Sequence, residues 1–184
     1  MAGGRKMEFK ELIQMRRSVR AFEAGRTIER PVIEEILKAA QLAPSWKNSQ
    51  TGRYYVADTP EKAEEVRKNC LPAFNQKSSG NAPVMIVTTF VRGVAGYTAG
   101  KPDNELGDEW GAYDLGMQNA YLVLKARDLG LDTLIMGIRD EKELRKQFSI
   151  PDNEEVAAVL AIGYRDGEPA FRPRKELEEI VKFQ

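Results

Sequence analysis

The sequence predicts a fold of the α+β class, organised as one domain over residues 1–184. Segments with the 3.6-residue periodicity of amphipathic helices occur between short apolar runs that are typical of β-strands. The length is ordinary for one domain, and the chain contains neither an internal repeat nor a linker rich in Gly, Pro and Ser. We therefore expect the helices and strands to share one fold.

Three helices are predicted in the first part of the chain. The first covers residues 9–17, where apolar side chains recur every three to four positions and a basic pair ends the pattern. The second covers residues 31–43, because it begins with a proline and has to stop before the next one. The third begins at a Thr-Pro pair and covers residues 59–69.

Four strands are predicted from β-branched, aromatic and other apolar runs. They cover residues 53–57, 84–90, 131–136 and 156–164. The second of these runs is almost continuously apolar, which is typical of a strand buried on both faces at the centre of a sheet. Between residues 92 and 107, glycines, a proline and acidic residues replace any periodic pattern, so we expect a long irregular excursion.

A long helix is predicted over residues 108–128, with Gly130 as its C-terminal stop. Its apolar residues are expected to form a wide stripe that makes it a central, well-buried helix. The stripe consists of Trp110, Tyr113, Met117, Ala120, Tyr121, Leu124 and Leu129. Shorter helices are expected from Asp140 to Phe148 and in the tail after Lys175.

Composition restricts the possible chemistry. The chain contains no histidine and a single cysteine, Cys70. Ser-His-Asp and Cys-His catalysis are therefore excluded, as are imidazole zinc sites, thiolate metal clusters and intramolecular disulfides. We predict no metal site and no catalytic side chain, and we expect any chemistry to come from a bound cofactor.

Charge and hydropathy restrict the possible partners and the location. The chain has 28 basic and 28 acidic residues, so it lacks the basic excess typical of nucleic-acid-binding domains. Residues 1–8 form no apolar signal region, and no stretch reaches the roughly 18 apolar residues of a membrane span. We expect a cytoplasmic protein that binds neither nucleic acid nor a membrane.

The first candidate binding segment follows the first helix. It places Arg16, Arg17 and Arg20 around Ser18. A phosphate group suits this set best, because a guanidinium group offers paired donors and the serine hydroxyl adds another. A solvated basic helix end is the alternative reading of the same residues.

The second candidate segment is the loop at residues 43–52. It combines short polar side chains with Trp46, as in a loop that lines a planar ligand, but a surface turn with a tryptophan covering the core fits equally well. Arg172 and Arg174 in the tail are equally compatible with ordinary surface charge. No phosphate loop and no dinucleotide fingerprint occurs in the sequence.

Taken in chain order, several segments make the sequence resemble the nitroreductase family of flavin mononucleotide (FMN) enzymes. The resemblance spans nearly the whole chain and depends on the order and spacing of the segments. They are residues 16–20 (RRSVR), 43–50 (APSWKNSQ), 74–76 (FNQ), 82–83 (AP), 118–119 (QN), 130–131 (GL), 136–137 (MG) and 172–175 (RPRK).

This resemblance implies a sandwich in which helices flank a central, mainly antiparallel sheet. It also implies an interlocked homodimer with two FMN molecules at the subunit interface. In such a dimer, the flavin phosphate and ribityl chain would be held by a cationic set with Arg17 beside it. That set comprises Arg16, Ser18, Arg172 and Arg174.

Further cofactor-binding residues follow from the same resemblance. Arg20 and Asn75 would reach the N1, C2 carbonyl and N3 edge of the flavin ring, and Met136 and Gly137 would present backbone near N5. The other subunit would contribute a loop to the same site. The residues of that loop are Pro44, Ser45 and Trp46, and Asn48 is a further candidate within it.

The implied reaction is hydride transfer from NADH or NADPH through flavin N5 to a nitroaromatic, quinone or similar acceptor, in a ping-pong cycle. One alternative is a related flavin reductase that acts on enones or halogenated aromatics, and another is a non-catalytic flavin-binding protein. The excursion at 92–113 favours an enzyme, since it is typical of a lid over a substrate channel. Trp46 and Lys47 stand where many family members carry small residues, so the choice of acceptor stays open.

Overall fold

The computed structural model of the protein describes residues 8–184. Residues 1–7, which form most of the segment used above to predict that the chain has no export signal, lie outside the described part. None of the helices in residues 8–184 is both long and apolar enough to cross a membrane.

The helices and strands agree with the predicted elements to within a few residues, apart from α4, β3, β4 and a short 3-10 helix within the predicted loop at 43–52, which were not predicted. The helices are α1 (Phe9–Met15), α2 (Arg30–Gln41), α3 (Pro60–Cys70), α4 (Ala73–Ser78), α5 (Glu109–Asp128), α6 (Glu141–Phe148) and α7 (Leu177–Ile180), and a short 3-10 helix covers Trp46–Asn48. The strands are β1 (Gly52–Ala57), β2 (Val84–Val91), β3 (Tyr97–Thr98), β4 (Lys101–Pro102), β5 (Asp132–Met136) and β6 (Glu154–Gly163).

Four strands form one antiparallel sheet in the order β1-β2-β6-β5. The inner strand β2 is buried from Val84 to Phe90. This confirms the central strand predicted from its apolar run, because a strand covered on both faces buries successive side chains. The expected antiparallel sheet is confirmed as well.

Helices cover both faces of this sheet. Met85 and Val87 of β2 belong to a core cluster shared with α3 and α6, whereas Val84 and Ile86 belong to a second cluster shared with α2 and α5. The alternation follows from strand geometry, in which neighbouring side chains point to opposite faces. The chain is therefore a sandwich with α3 and α6 on one side of the sheet and α2 and α5 on the other.

The prediction for α5 was wrong about which side of the helix is buried. The buried side carries Leu115, Leu122 and Ala126, whereas Tyr113 and Tyr121 of the predicted stripe are 62% and 44% exposed. Both sides of α5 carry apolar residues, so periodicity identifies the helix without identifying the side that meets the core. Of the predicted stripe, Tyr113, Ala120 and Tyr121 are exposed, whereas Trp110, Met117, Leu124 and Leu129 are half-buried.

The excursion at residues 92–107 contains a small hairpin. Strands β3 and β4 pair antiparallel, and the Asp103 N–H donates to the Gly96 carbonyl at 2.7 Å. Gly96 has a φ of +81°, and a Cβ at this position would lie 2.6 Å from the Trp110 side chain. The excursion is therefore packed closely against the start of α5.

Candidate functional site

The extended segment after α1 runs beside β5. Ser18 forms a parallel bridge with Thr133, and the Val19 N–H donates to the Thr133 carbonyl at 3.0 Å. Val19 is buried in the core, whereas its neighbours Ser18 and Arg20 are exposed. Because side chains alternate along an extended chain, burial of Val19 turns these two polar side chains to the outside.

The C-terminal tail lies against the same segment. Phe22 forms an antiparallel bridge with Arg165, and the Asp166 N–H donates to the Ala21 carbonyl at 2.9 Å. Segment and tail together enclose a cavity of about 430 Å³, which we call the arginine cleft. The predicted site residues that line it are Arg16, Arg17, Ser18, Arg20, Arg172 and Arg174.

The arginine cleft carries an excess of positive charge. Within residues 8–184, none of its five arginines forms a salt bridge. Burial and repulsion from Arg174 and Arg17 lower the pKa of Arg16 below its ordinary value. The carboxylates in the lining, Asp166 and Glu168, are fewer than the arginines. An anion bound among the arginines would relieve their mutual repulsion.

Arg17 is the arginine most occupied by contacts within the chain. Its Nη1 donates to the Gln14 carbonyl and, at 2.8 Å, to the Arg16 carbonyl. Its guanidinium carbon lies 5.1 Å from the centre of the Phe171 ring, a cation–π distance. Its position suits a place beside a bound anion better than direct contact with one.

A second group of predicted residues lies around the end of β5. Arg20 is not one of them, because it lines the arginine cleft and the chain after it pairs Phe22 with Arg165. Met136 and Gly137 lie at the end of β5. Asn75 of α4 reaches the same region, where its Nδ2 donates to the Ile138 carbonyl at 2.8 Å. Asn75 and Met136 are buried, whereas Gly137 is exposed.

A third group lies in the loop after α2, which we call the Trp46 loop (residues 44–50). Its predicted site residues do not line the arginine cleft. They are Pro44, Ser45, Trp46 and Asn48. Three residues of this loop have positive φ, 47° at Lys47, 56° at Asn48 and 49° at Gln50. Because left-handed backbone costs an L-residue roughly 1–2 kcal/mol, contacts with the rest of the protein are needed to hold the loop.

Helix α5 supplies two such contacts. The Trp46 N–H donates to Oδ2 of Asp114 at 2.8 Å, and the ring centres of Trp46 and Trp110 lie 4.6 Å apart. Asp114 is 1% exposed. Burial raises the pKa of its carboxyl group, and the hydrogen bond from Trp46 opposes this effect.

Lys47 connects the Trp46 loop to the excursion. Its Nζ donates to Oγ1 of Thr98 at 2.7 Å and to Oδ2 of Asp103 at 3.0 Å. Hydrogen bonds with Thr98 and Lys47 lower the pKa of Asp103, so its carboxyl group is charged at neutral pH. The excursion expected to act as a lid is thus attached to the loop.

Asp114 was not among the predicted site residues. It lies in the second turn of a long helix, and its contact with Trp46 joins segments far apart in the chain. The sequence offered only a weak indication of this role, namely that Asp114 follows Trp110 by one helical turn.

The donors gathered here are guanidinium, amide, hydroxyl and backbone groups. In the described part of the chain, no group of three or more acidic or cysteine side chains that could hold a metal ion occurs. Such donors suit an anionic organic molecule better than a metal ion.

Comparison with known proteins finds relatives over most of the chain. The model of the Nitroreductase family matches residues 13–80 and 71–164. A relative from Archaeoglobus fulgidus, provisionally named NADH dehydrogenase/NAD(P)H nitroreductase, is 32% identical over 166 residues, which cover 88% of this chain and 87% of the relative. The nitrobenzene nitroreductase of Ectopseudomonas oleovorans is 25% identical, with 94% of this chain and 95% of the relative covered. A solved structure of an oxidoreductase containing FMN is 26% identical with a TM-score of 0.72, and 89% of this chain and 80% of that chain are covered.

Proposed function

Since the chain belongs to the nitroreductase family, we propose that it is an FMN-dependent oxidoreductase that carries hydride from NADH or NADPH to a small nitroaromatic or quinone-like acceptor. The observation that carries this proposal is the arginine cleft, which gathers cations from both ends of the chain. The names of the relatives support the nicotinamide donor, the nitroaromatic acceptor and FMN.

The arginine cleft fits the phosphate of FMN by the chemistry of its donors. Its arginines form no salt bridge in residues 8–184, and repulsion contributes to the lowered pKa of Arg16, so a dianion has cations available to it. Arg17, bound to its own chain and to Phe171, would lie beside the phosphate. The residues that would hold the phosphate and ribityl chain are Arg16, Ser18, Arg172 and Arg174.

The group at the end of β5 suits the flavin ring. Arg20 from the arginine cleft and Asn75 from the end of β5 would offer polar side chains for the N1, C2 carbonyl and N3 edge. The bond to the Ile138 carbonyl fixes the orientation of the Asn75 amide. Gly137 is exposed, and a Cβ there would meet no atom within 4 Å, so Met136 and Gly137 can present backbone near N5 without a blocking side chain.

We assign the Trp46 loop to the flavin site of a partner subunit. Its residues lie outside the arginine cleft of their own chain, yet its strained conformation is held by specific contacts. A loop that completes a neighbouring site needs this combination of defined shape and outward position. The residues assigned in this way are Pro44, Ser45, Trp46 and Asn48.

Exposed apolar residues support the homodimer that this assignment requires. Tyr113 and Tyr121 of α5 are exposed, and so are Phe9 and Ile13 of α1, which packs against α5. The tail is apolar and exposed too, at Phe171, Leu177, Ile180 and Phe183. Because monomers rarely expose large contiguous apolar patches, we propose that a second copy covers α5 and that the tails interlock the two subunits.

When bound, FMN supplies hydride transfer at N5, first from the nicotinamide and then to the acceptor. The chain binds and orients: the arginine cleft holds the phosphate, and Arg20 provides a permanent positive charge at the ring edge. The Trp46 loop and the attached excursion would exclude water and limit acceptor size. With both substrates using one face in turn, we propose a ping-pong mechanism.

Steady-state kinetics with varied nicotinamide and varied nitrobenzene or benzoquinone test this proposal. Parallel double-reciprocal lines are expected, since no ternary complex forms. Intersecting lines would contradict the ping-pong mechanism. Faster turnover of an enone or a halogenated aromatic than of nitrobenzene and benzoquinone would favour the related-reductase alternative, and bound flavin that neither nicotinamide reduces would favour the non-catalytic one.

A further inference from the structure

We infer that Asp114 is the positioning residue that fixes the Trp46 loop against α5, and that it thereby keeps the loop in the shape needed to complete the partner's flavin site. The second half of this inference rests on the proposed function. The first half concerns the folded chain alone and can be tested without any cofactor.

Three backbone N–H groups of the Trp46 loop donate within the loop, and at its end the Gln50 carbonyl accepts a hydrogen bond from Nη1 of Arg53 in β1 at 2.9 Å. The Asn48 N–H donates to the Ser45 carbonyl at 3.0 Å, the Ser49 N–H to the Trp46 carbonyl at 2.8 Å, and the Gln50 N–H to Oγ of Ser45 at 3.0 Å. These bonds close successive turns at the residues with positive φ. The internal bonds connect Trp46 itself to no helix or strand of the sandwich, and the bond from Arg53 reaches only the last residue of the loop.

Asp114 connects the loop to the body of the fold. Trp110 and Asp114 stand four residues apart on α5, so they lie on the same side of the helix. Trp110 contacts the indole of Trp46 while Asp114 accepts the hydrogen bond from its backbone. Trp46 is therefore held both by its ring and by its backbone N–H. A hydrogen bond to a carboxylate is about twice as strong as one between neutral groups.

The carboxylate of Asp114 has no other partner in residues 8–184. It forms no salt bridge there, and its single hydrogen bond comes from Trp46. A buried carboxylate without a cation is costly, so packing alone would be served better by an apolar side chain of similar size. The presence of a buried carboxylate at position 114 is therefore explained by the hydrogen bond that it accepts from the Trp46 loop.

The contact on the other side of the loop is weaker. Lys47 is exposed where it pairs with Asp103, and an exposed ion pair is screened by water and salt. We therefore expect the buried hydrogen bond from Trp46 to Asp114 to stabilise the conformation of the loop more than the Lys47–Asp103 ion pair does.

The two tryptophans give this inference a direct readout, because the chain contains no others. Two indoles whose centres are 4.6 Å apart should produce an exciton couplet in ultraviolet circular dichroism. We expect Asp114→Ala to lose most of the couplet in the cofactor-free protein while remaining folded, since it removes a buried charge from a helix. Asp114→Asn, which keeps an acceptor oxygen, should retain it.

Leu115→Ala is the matched control, because it removes core contacts next to Asp114 and leaves the bond to Trp46 in place. It should keep the couplet. In the parent protein, amide hydrogen exchange at Trp46 should be slow relative to an open loop. A retained couplet in Asp114→Ala, or fast exchange at Trp46 in the parent, would overturn the positioning role.

FMN titration of the same variants tests the second half. Asp114→Ala should weaken FMN binding about 10-fold or more, Asp114→Asn much less, and Leu115→Ala hardly at all. If the couplet is lost while FMN affinity stays unchanged, Asp114 still positions the loop, but the assignment of the loop to the partner's flavin site is wrong.

Discussion

Arg16 and Arg174 come from opposite ends of the chain and line the same cleft, where burial and the charge of Arg174 lower the pKa of Arg16. Two cations held together in this way raise the free energy of the empty site. A bound dianion removes this repulsion, so part of the binding free energy is built into the fold.

The first prediction concerns this pair. Arg16→Ala should raise the dissociation constant for FMN about 10- to 150-fold, because it removes a hydrogen bond between charged groups. Titration followed by flavin fluorescence measures the change. Arg30→Ala is the control, since Arg30 is an exposed arginine that pairs with Asp58 outside the cleft. Equal weakening in both variants would indicate a general charge effect, and no weakening in Arg16→Ala would remove the phosphate from this cleft.

The second prediction concerns Arg20. If its guanidinium lies at the N1 and C2 carbonyl edge, it stabilises the negative charge that the ring gains on reduction. Arg20→Ala should then lower the midpoint potential of bound FMN by roughly 40 to 90 mV. Arg20→Lys should keep most of the potential, because it retains the charge. A potential that stays within about 10 mV of the parent in the alanine variant would place Arg20 away from the ring.

The third prediction concerns the exposed face of α5. Tyr121→Lys should shift the protein from dimer to monomer in sedimentation experiments and weaken FMN binding together with it, since each site would lose the partner's loop. Lys62→Glu alters charge on α3, across the sheet from α5, and should leave the dimer intact. A monomeric Tyr121→Lys protein that still binds FMN like the parent would show that one chain completes the site.

The fourth prediction concerns Cys70. Burial, followed by the charges of Glu143 and Asp140, raises the pKa of its thiol from 9.0 to about 11. A higher pKa means less thiolate at any given pH, about 100-fold less in mildly alkaline buffer. Iodoacetamide should therefore label the native protein at least about 100-fold more slowly than the unfolded chain. Similar rates in both states would mean that Cys70 is exposed and ionises normally.

Local signals explain why most elements were predicted correctly. The continuous apolar run of β2, the proline at the start of α2 and the glycine after α5 act within a few residues of their own positions. The side of α5 that meets the core depends on contacts with α2 and the sheet, which periodicity does not contain. The predicted buried stripe accordingly contained Tyr121, which is exposed, and omitted Leu115, which is buried.

The candidate site likewise contains residues that local sequence motifs indicate and contacts that the sequence does not reveal. The short motifs around Arg16 and Arg172 suggested an anion site but were also compatible with ordinary surface charge, and only the family resemblance joined them. The folded chain brings both motifs to one cleft. The hold of Asp114 on Trp46 and the link from Lys47 to Asp103 are contacts between distant segments, and only the folded chain brings them together.

The central claim is that this chain binds FMN and that a reduced nicotinamide reduces it. Anaerobic titration of the FMN-loaded protein with NADH, and separately with NADPH, followed by flavin absorbance, tests it most directly. The account predicts that at least one of the two nicotinamides bleaches the oxidised flavin band at about one equivalent per chain, and that nitrobenzene or benzoquinone then restores the band. A protein that binds no FMN, or a bound flavin that neither nicotinamide bleaches, would contradict the account.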